Sequence, residues 1–256
     1  MTDQPVVVTF DFHNTIARCD RWFALEIREL VPAFLDWHAA RQGAPAPADE
    51  LLDAGRLAYR TLRTEIGETG IEQDAVSCLL AVLPPLGIVV TEDEVRLGVD
   101  ELMAETFDED VSALPGVVGA VTLLASSGVR LGIISSAVYT PFLHWALARF
   151  GIDQHFAVVV TSAEAGYYKS HPEIYRLAAA GLGAEPTSIV HVGDSFPFDV
   201  VGARRAGFRT VWVRGDRQPP DGAPAADLTL ADLVDAGPRL LALARSVADG
   251  GTAVDG

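Results

Sequence analysis

The alternation of hydrophobic and polar positions divides the chain into two parts with different periods. Residues 5–12, PVVVTFDF, form a short, continuous, β-branched run, too short for a helix, which predicts a buried strand. From about Asp20 to Asp108 the spacing becomes helical. Trp22, Leu25, Leu30, Phe34 and Trp37 share one face of a first segment, in which Pro32 is expected to introduce a bend. GAPAPAD reads as a loop, and Leu52, Gly55, Tyr59, Leu62 and Ile66 line a second segment. IEQDAVSCLLAVL is a third, stopped by Pro84 and Pro85. Thr91 and Glu94 make a capping-box signature for a fourth, reaching about Phe107. Four helical segments without a convincing strand predict a small helical bundle inserted after the first strand.

From Leu114 the period alternates. Helical patterns at 115–128, 139–151, 171–183 and 197–207 are interleaved with strand patterns at 129–135, 156–162, 188–194 and 208–213, and ADLTL (226–230) predicts a last short strand. This alternation implies an α/β fold, a Rossmann-like parallel sheet with helices on both faces. In such sheets the carboxyl ends of the strands form the site. The terminal SVADGGTAVDG, 246–256, is small and polar and is expected to be disordered.

Composition narrows the possibilities. With 256 residues, 49% hydrophobic and 21% charged, the chain can bury a sizeable core. A net charge of −16 disfavours nucleic acid and anionic membrane surfaces as partners. Cys19 and Cys78 have neither metal-ligand nor redox spacing, and Cys78, inside AVSCLLAVL, is expected to be a buried core thiol. The opening MTDQPVVV lacks the basic region and long apolar stretch of a signal peptide, and no apolar run is long enough to span a bilayer. The simplest compartment is the cytoplasm.

Four signals carry the chemistry: Asp11 in VTFDFHNT, Ser135 in LGIISSA, Lys169 in YYKSHP, and Asp194 with Asp199 in VHVGDSFPFDVVGARRAG. Asp11, Ser135 and Asp194 end apolar runs, so a parallel sheet brings them to one edge. A carboxylate nucleophile, a hydroxyl donor, a cation and further carboxylates are what phosphoryl transfer to an aspartate requires. The other readings are local. Asp194 suits a helix N-cap, Asp199 a first helical turn, and Ser135 or Ser136 the cap of the helix that follows. Lys169 alone reads as a solvated loop charge, and His191, alternating within a strand, as a packed or edge histidine.

In their order and spacing these motifs resemble the haloacid dehalogenase superfamily, a group dominated by phosphatases. GDS, an aspartate five residues after the first and GAxxAG after an apolar strand form the most specific of them. The resemblance implies a core of residues 1–17 and 109–245 and a helical cap over 18–108. It implies Asp11 as nucleophile, Ser135 as donor to the phosphoryl group with Ser136 as its neighbour, and Lys169 as stabilising cation. It implies Mg²⁺ held by Asp11, Asp194, Asp199 and the main-chain carbonyl of His13, and a small phosphorylated metabolite as substrate. His13 is the departure, because the family's phosphatases usually carry an acid/base aspartate there. Imidazole can do acid–base work near neutral pH, so His13 reads as an acid/base, as a steering group, or as the mark of weak or altered hydrolysis. A 2-haloacid dehalogenase, which needs neither metal nor a proton donor at that position, and a scaffold without turnover are the alternatives. Within the cap, Arg56, Arg60 and Arg63 share one helix face. They are either a solvated face or a patch that meets an anionic substrate, with Arg60 the candidate binding residue.

Overall fold

The computed structural model describes residues 5–108 and 110–250. Among the described residues there are eight strands: β1 (Val7–Phe10), β2 (Ala17–Arg18), β3 (Ser112–Ala113), β4 (Arg130–Ser135), β5 (Phe156–Thr161), β6 (Ile189–Gly193), β7 (Arg209–Val213) and β8 (Leu228–Leu230). Six of them form one parallel sheet in the order β5-β4-β1-β6-β7-β8. β1 lies inside the sheet, with Val7 opposite Arg130 on one side and Ile189 on the other. The chain passes from β1 to β4 and β5 on one side and then crosses from β5 back to β6 on the other, which makes the carboxyl end of β1 the switch point where such sheets bind ligands.

The two faces of the sheet bury separate apolar sets, as the period-two pleat requires. Val8, Phe10, Val190 and Val192 pack with Val117, Val121, Leu240 and Ala244 of helices Val117–Ser126 and Gly237–Ala248. Val7, Ile134 and Ile189 pack with Ile174, Tyr175 and Ala178 of helix Glu173–Leu182. Both faces are therefore covered, and the strands contain little besides β-branched and aliphatic residues.

The insertion holds the four expected helical segments. The first runs from 20 to 41 as Asp20–Ala24, a wider π-type turn Leu25–Glu29, and Leu30–Arg41. The expected irregularity sits one turn before Pro32, where the missing proline N–H and the ring's bulk disturb the preceding hydrogen bonds. Helices Asp49–Thr69, Ala75–Val82 and Glu92–Ala104 follow, the last with the Thr91 hydroxyl accepting from the Glu94 amide at 3.3 Å. β2 and β3 pair antiparallel where the chain leaves the sheet and returns to it.

Two expectations need correction. The tail does not begin at 246, because helix Gly237–Ala248 buries Gly237, Leu240, Ala244 and Val247. Residues 251–256, like the first four of the opening segment, lie outside the described residues. The stretch 197–207 is not one α-helix: a π-type turn, Phe196–Gly202, precedes a short α-helix, Ala203–Arg205. Cys78 is buried as expected, and so is Cys19. Among the described residues no helix is long and apolar enough to cross a membrane.

Candidate active site

The main chain continues one residue past β1, with the Asp11 amide donating to the Val192 carbonyl at 2.8 Å. It then turns sharply. The Phe12 carbonyl accepts from the amides of Thr15, Ile16 and Ala17, and Asn14 takes a left-handed φ of 61°. The turn brings the Thr15 hydroxyl to donate to Asp11 Oδ2 at 3.1 Å. β4 delivers Ser135 and Ser136 beside Asp11, and β6 delivers Gly193 and Asp194 on the other side. The Lys169 amide donates to Ser136 Oγ at 3.3 Å, and its ammonium lies 2.5 Å from Asp11 Oδ1 and 2.7 Å from Asp199 Oδ1.

Asp199 is fully enclosed on the π-type turn. Its Oδ2 accepts from the Ser195 amide at 2.8 Å, and its Oδ1 lies 3.1 Å from His191 Nε2. The other ring nitrogen, Nδ1, is 2.9 Å from the Thr9 hydroxyl. Thr9 and His191 are register partners on β1 and β6. With Nε2–H donating to the carboxylate, Nδ1 accepts from Thr9, so a polar pair within the sheet orients Asp199 from behind. Gly193 is required here, since a side-chain carbon at that position would overlap the Asp199 carboxylate. Asp194 sits nearer the rim, with Oδ2 3.1 Å from the Arg217 guanidinium and its main-chain carbonyl accepting from Trp212 Nε1 at 3.0 Å.

Asp11, Asp194 and Asp199 each bring one carboxylate oxygen within 4.8 Å of the others. Burial pushes the Asp11 carboxyl up to about 7; Lys169 opposes this, and the neighbouring carboxylates reinforce it. Burial and Asp199 likewise raise Asp194. Asp199 goes the other way: burial opposes ionisation, but Lys169 and His191 hold the carboxyl well below the usual range. Lys169 remains charged, because Asp11 and Asp199 overcome the burial that pulls it down. The result is three hard oxygen donors carrying more negative charge than the lysine relieves. That donor set suits a small divalent cation such as Mg²⁺.

Over this floor lies a cavity of about 230 Å³. His13 enters from the turn, its ring stacked on Phe23 of the first cap helix at 3.8 Å between centroids. Its Nε2 is 3.8 Å from Asp20, beyond hydrogen-bond reach, and burial lowers its pKa to about 4 against the pull of Asp20. Trp22 and Glu26 of the same helix also line the cavity. His13 Nε2, Trp22 Nε1 and Glu26 Oε2 are buried without a hydrogen-bond partner. Burial raises the Glu26 carboxyl well above the usual range.

The cap is joined to the loop that carries the lysine. The Tyr168 amide donates to the Gly70 carbonyl at 2.9 Å and the Glu72 amide to the Gly166 carbonyl at 3.0 Å. Glu72 also accepts from Ser162 Oγ at 2.6 Å and from Arg63 at 2.6 Å.

Asp11, His13, Ser135, Ser136, Lys169, Asp194 and Asp199 thus line one cavity. Ser136 bonds the Lys169 amide rather than capping the helix after it, whose first turn has no side-chain cap. The arginine face does not meet the cavity. Arg56 is bound by Glu29 and Asp53, Arg63 turns inward to Glu72, and Arg60 is exposed and absent from the lining. Arg60 as a substrate-binding residue is therefore corrected: its helix buries Gly55, Tyr59 and Ile66 and turns Arg60 to solvent. His191 is not at an edge, because β6 lies between β1 and β7. The sequence reading missed Arg217, Trp22 as a cavity residue, and Glu26. Glu26 had a signal: it falls four residues after Trp22 and four before Leu30, a carboxyl within an apolar stripe. Arg217, in RGDRQPP, had none.

A family model described as haloacid dehalogenase-like hydrolase matches residues 6–207. The phosphoserine phosphatase of Thermus thermophilus is 33% identical over 134 residues, 51% of this chain and 53% of that protein, so the alignment spans about half the length of the relative. The glyceraldehyde 3-phosphate phosphatase of Methanothermobacter thermautotrophicus is 29% identical over 192 residues, 69% of this chain and 79% of that one. Among solved structures, a 2-haloacid dehalogenase from Pseudomonas syringae pv. Tomato superimposes with a TM-score of 0.65 at 23% identity, over 92% of this chain and 97% of that one. At that identity the likeness is one of fold.

Proposed function

Because the chain belongs to the haloacid dehalogenase-like hydrolase family, we propose that it is a Mg²⁺-dependent phosphatase that cleaves a small phosphorylated metabolite through an aspartyl-phosphate on Asp11. The observation that carries this reading is the convergence of Asp11, Asp194 and Asp199 within 4.8 Å, with Lys169 2.5 Å from Asp11. Displacement of halide from carbon needs no metal, so a cluster of three carboxylates fits it poorly. The named phosphatase relatives point the same way.

In this reading Asp11, Asp194 and Asp199 would hold Mg²⁺, with the His13 carbonyl as the further oxygen that the family resemblance implies. The ion supplies Lewis-acid neutralisation of charge between nucleophile and phosphate. An Asp11 carboxylate oxygen attacks phosphorus, the P–O bond to the alcohol breaks, and the alkoxide leaves, taking its proton from solvent water. Ser135 and the Lys169 ammonium sit beside Asp11, where they can hold phosphoryl oxygens as charge develops. Water then attacks phosphorus, the P–O bond to Asp11 breaks, and inorganic phosphate departs with the carboxylate restored. Burial keeps His13 neutral at pH 7 and also lowers its basicity, so it can take the proton of that water only as a weak base. It can protonate the alkoxide only after gaining a proton, so poorly basic alkoxides should leave most readily. An ionisation near pH 6–7, the ordinary range for imidazole, is not expected for His13 in this environment.

The test is phosphate release from p-nitrophenyl phosphate and a panel of small phosphate esters, with Mg²⁺ and with chelator. The expected result is Mg²⁺-dependent release that Asp11→Asn abolishes, because an amide is a poor nucleophile. Chelator-insensitive turnover with halide release from a 2-haloacid would replace this reading with the dehalogenase one.

A further inference from the structure

The reading above concerns the phosphoryl end of the substrate; the other end must meet the cap wall. Five side-chain polar atoms among the described residues are buried without a hydrogen-bond partner, and three of them, on His13, Trp22 and Glu26, belong to residues lining this one cavity. An unpaired buried polar group costs about 1–3 kcal/mol, so such a cluster marks a surface completed by something else.

The three atoms restrict what can complete it. An indole N–H only donates, so Trp22 needs an acceptor. A carboxyl at Glu26 needs a donor when ionised, and a partner able to donate or accept when neutral. A hydroxyl serves both residues. An ammonium can serve Glu26 but has no lone pair for Trp22. A carboxylate can accept from Trp22, but beside an ionised Glu26 it meets no free cation. Arg63 is held by Glu72 at 2.6 Å, Lys169 by Asp11 and Asp199, and Arg217 by Asp194 at 3.1 Å.

We propose that Trp22 and Glu26 read the organic part of the substrate and select the phosphate ester of a neutral, hydroxyl-bearing alcohol over one that carries a carboxylate. Both side chains are placed for this independently of any ligand. The Trp22 ring is stacked on Phe142 at 4.6 Å, and the main-chain carbonyl of Glu26 accepts from Tyr59 Oη at 2.5 Å. Glu26 shares a stripe with Trp22 and Leu30 and is buried among the residues that line the cavity.

The inference deepens the phosphatase reading but is tested separately from it, by binding. Asp11→Asn protein is titrated in a calorimeter, with Mg²⁺, against glycerol 3-phosphate, ethyl phosphate, phosphoethanolamine and phosphoglycolate. Glycerol 3-phosphate should bind about tenfold or more tighter than the other three, in line with loss of a hydrogen bond in a site built for it. Adding Glu26→Leu or Trp22→Phe should each erase that advantage and leave ethyl phosphate unchanged, while Glu26→Gln, which keeps hydrogen-bonding atoms, should restore part of it. Equal affinities for all four esters, failure of all to bind, or an equal loss for all four in both variants would overturn the proposal. Trp22→Phe keeps the stacked ring, so it remains informative if Glu26→Leu fails to fold. If the binding pattern holds while the parent chain releases no phosphate, the hydrolytic reading falls and this one stands.

Discussion

The carboxylates and lysine on the floor of the cavity are each held by another protein group, whereas three polar atoms on the wall opposite are held by none. The floor is built from the ends of β1, β4 and β6, inner strands of the sheet, and its charges are held by protein partners before substrate arrives. Such preorganisation is what electrostatic stabilisation of a transition state requires. The facing wall is built from one cap helix and the turn at His13, and its unsatisfied groups make it sensitive to what enters. One wall is suited to a reaction common to many substrates, the other to a choice among them.

Removing a floor group should expose this difference most strongly. Asp199→Ala leaves the buried His191 N–H without its acceptor and Lys169 with Asp11 alone, and breaking a buried pair on one side costs about 3–5 kcal/mol. A large fall in thermal midpoint is expected, together with loss of activity. Asp194→Ala, at the rim, should weaken Mg²⁺ binding with the midpoint little changed. Calorimetric Mg²⁺ titration and thermal denaturation of the two variants separate the cases. If both lose stability equally, the floor is not graded from centre to rim.

His13 provides the intermediate effect. Its pKa is about 4 in the folded protein against 6.5 as the ordinary value. Between those values the unfolded chain binds a proton that the folded one refuses, so stability falls as pH drops below about 6.5. At pH 5 the loss from this group is on the order of 1–2 kcal/mol by proton linkage. A His13→Gln variant should therefore lose less stability than the parent between pH 7 and pH 5 in denaturant titrations. An identical pH dependence would mean that the ring is solvated and not part of the buried wall. The smallest effect belongs to Arg60→Ala. This exposed residue lies off both walls, so KM should be unchanged and stability should shift by less than about 0.5 kcal/mol. A raised KM would bring the arginine face back into the site.

The contrast also explains what could be read from sequence. β1, β4, β5, β6 and β7 were legible because a strand buried on both faces is a continuous apolar run, and the floor residues were legible because they stand at the ends of those runs. His191 was visible as a residue but not as a partner, since its hydrogen bonds reach Thr9, 182 positions away in sequence, and Asp199, 8 away. Arg217 joins the site through a loop, where no periodicity operates. Glu26 was legible only from Trp22 and Leu30, four residues to either side. The π-type turn changes the phase of the stripe, so the face chosen through Leu25 passed over the carboxyl that the structure buries. Helix Gly237–Ala248 had a readable apolar spacing at Leu240, Ala244 and Val247, but the small, polar residues beyond it dominated the reading.

The inner position of β1 also bears on the order in which the molecule forms. Val7 pairs with Arg130 and Ile189, residues 123 and 182 positions further along (130 − 7 and 189 − 7). Closing loops of that length delays the contacts that depend on them. The helices of the insertion, by contrast, pack through neighbours near in sequence and can assemble while β1 is still unpaired. Asp11, at the end of β1, acquires its surroundings only when β6 has docked. Completion of the site is thus tied to completion of the sheet: a chain that has made its helices but not its last strand pairings has Asp11 with no Asp199 beside it.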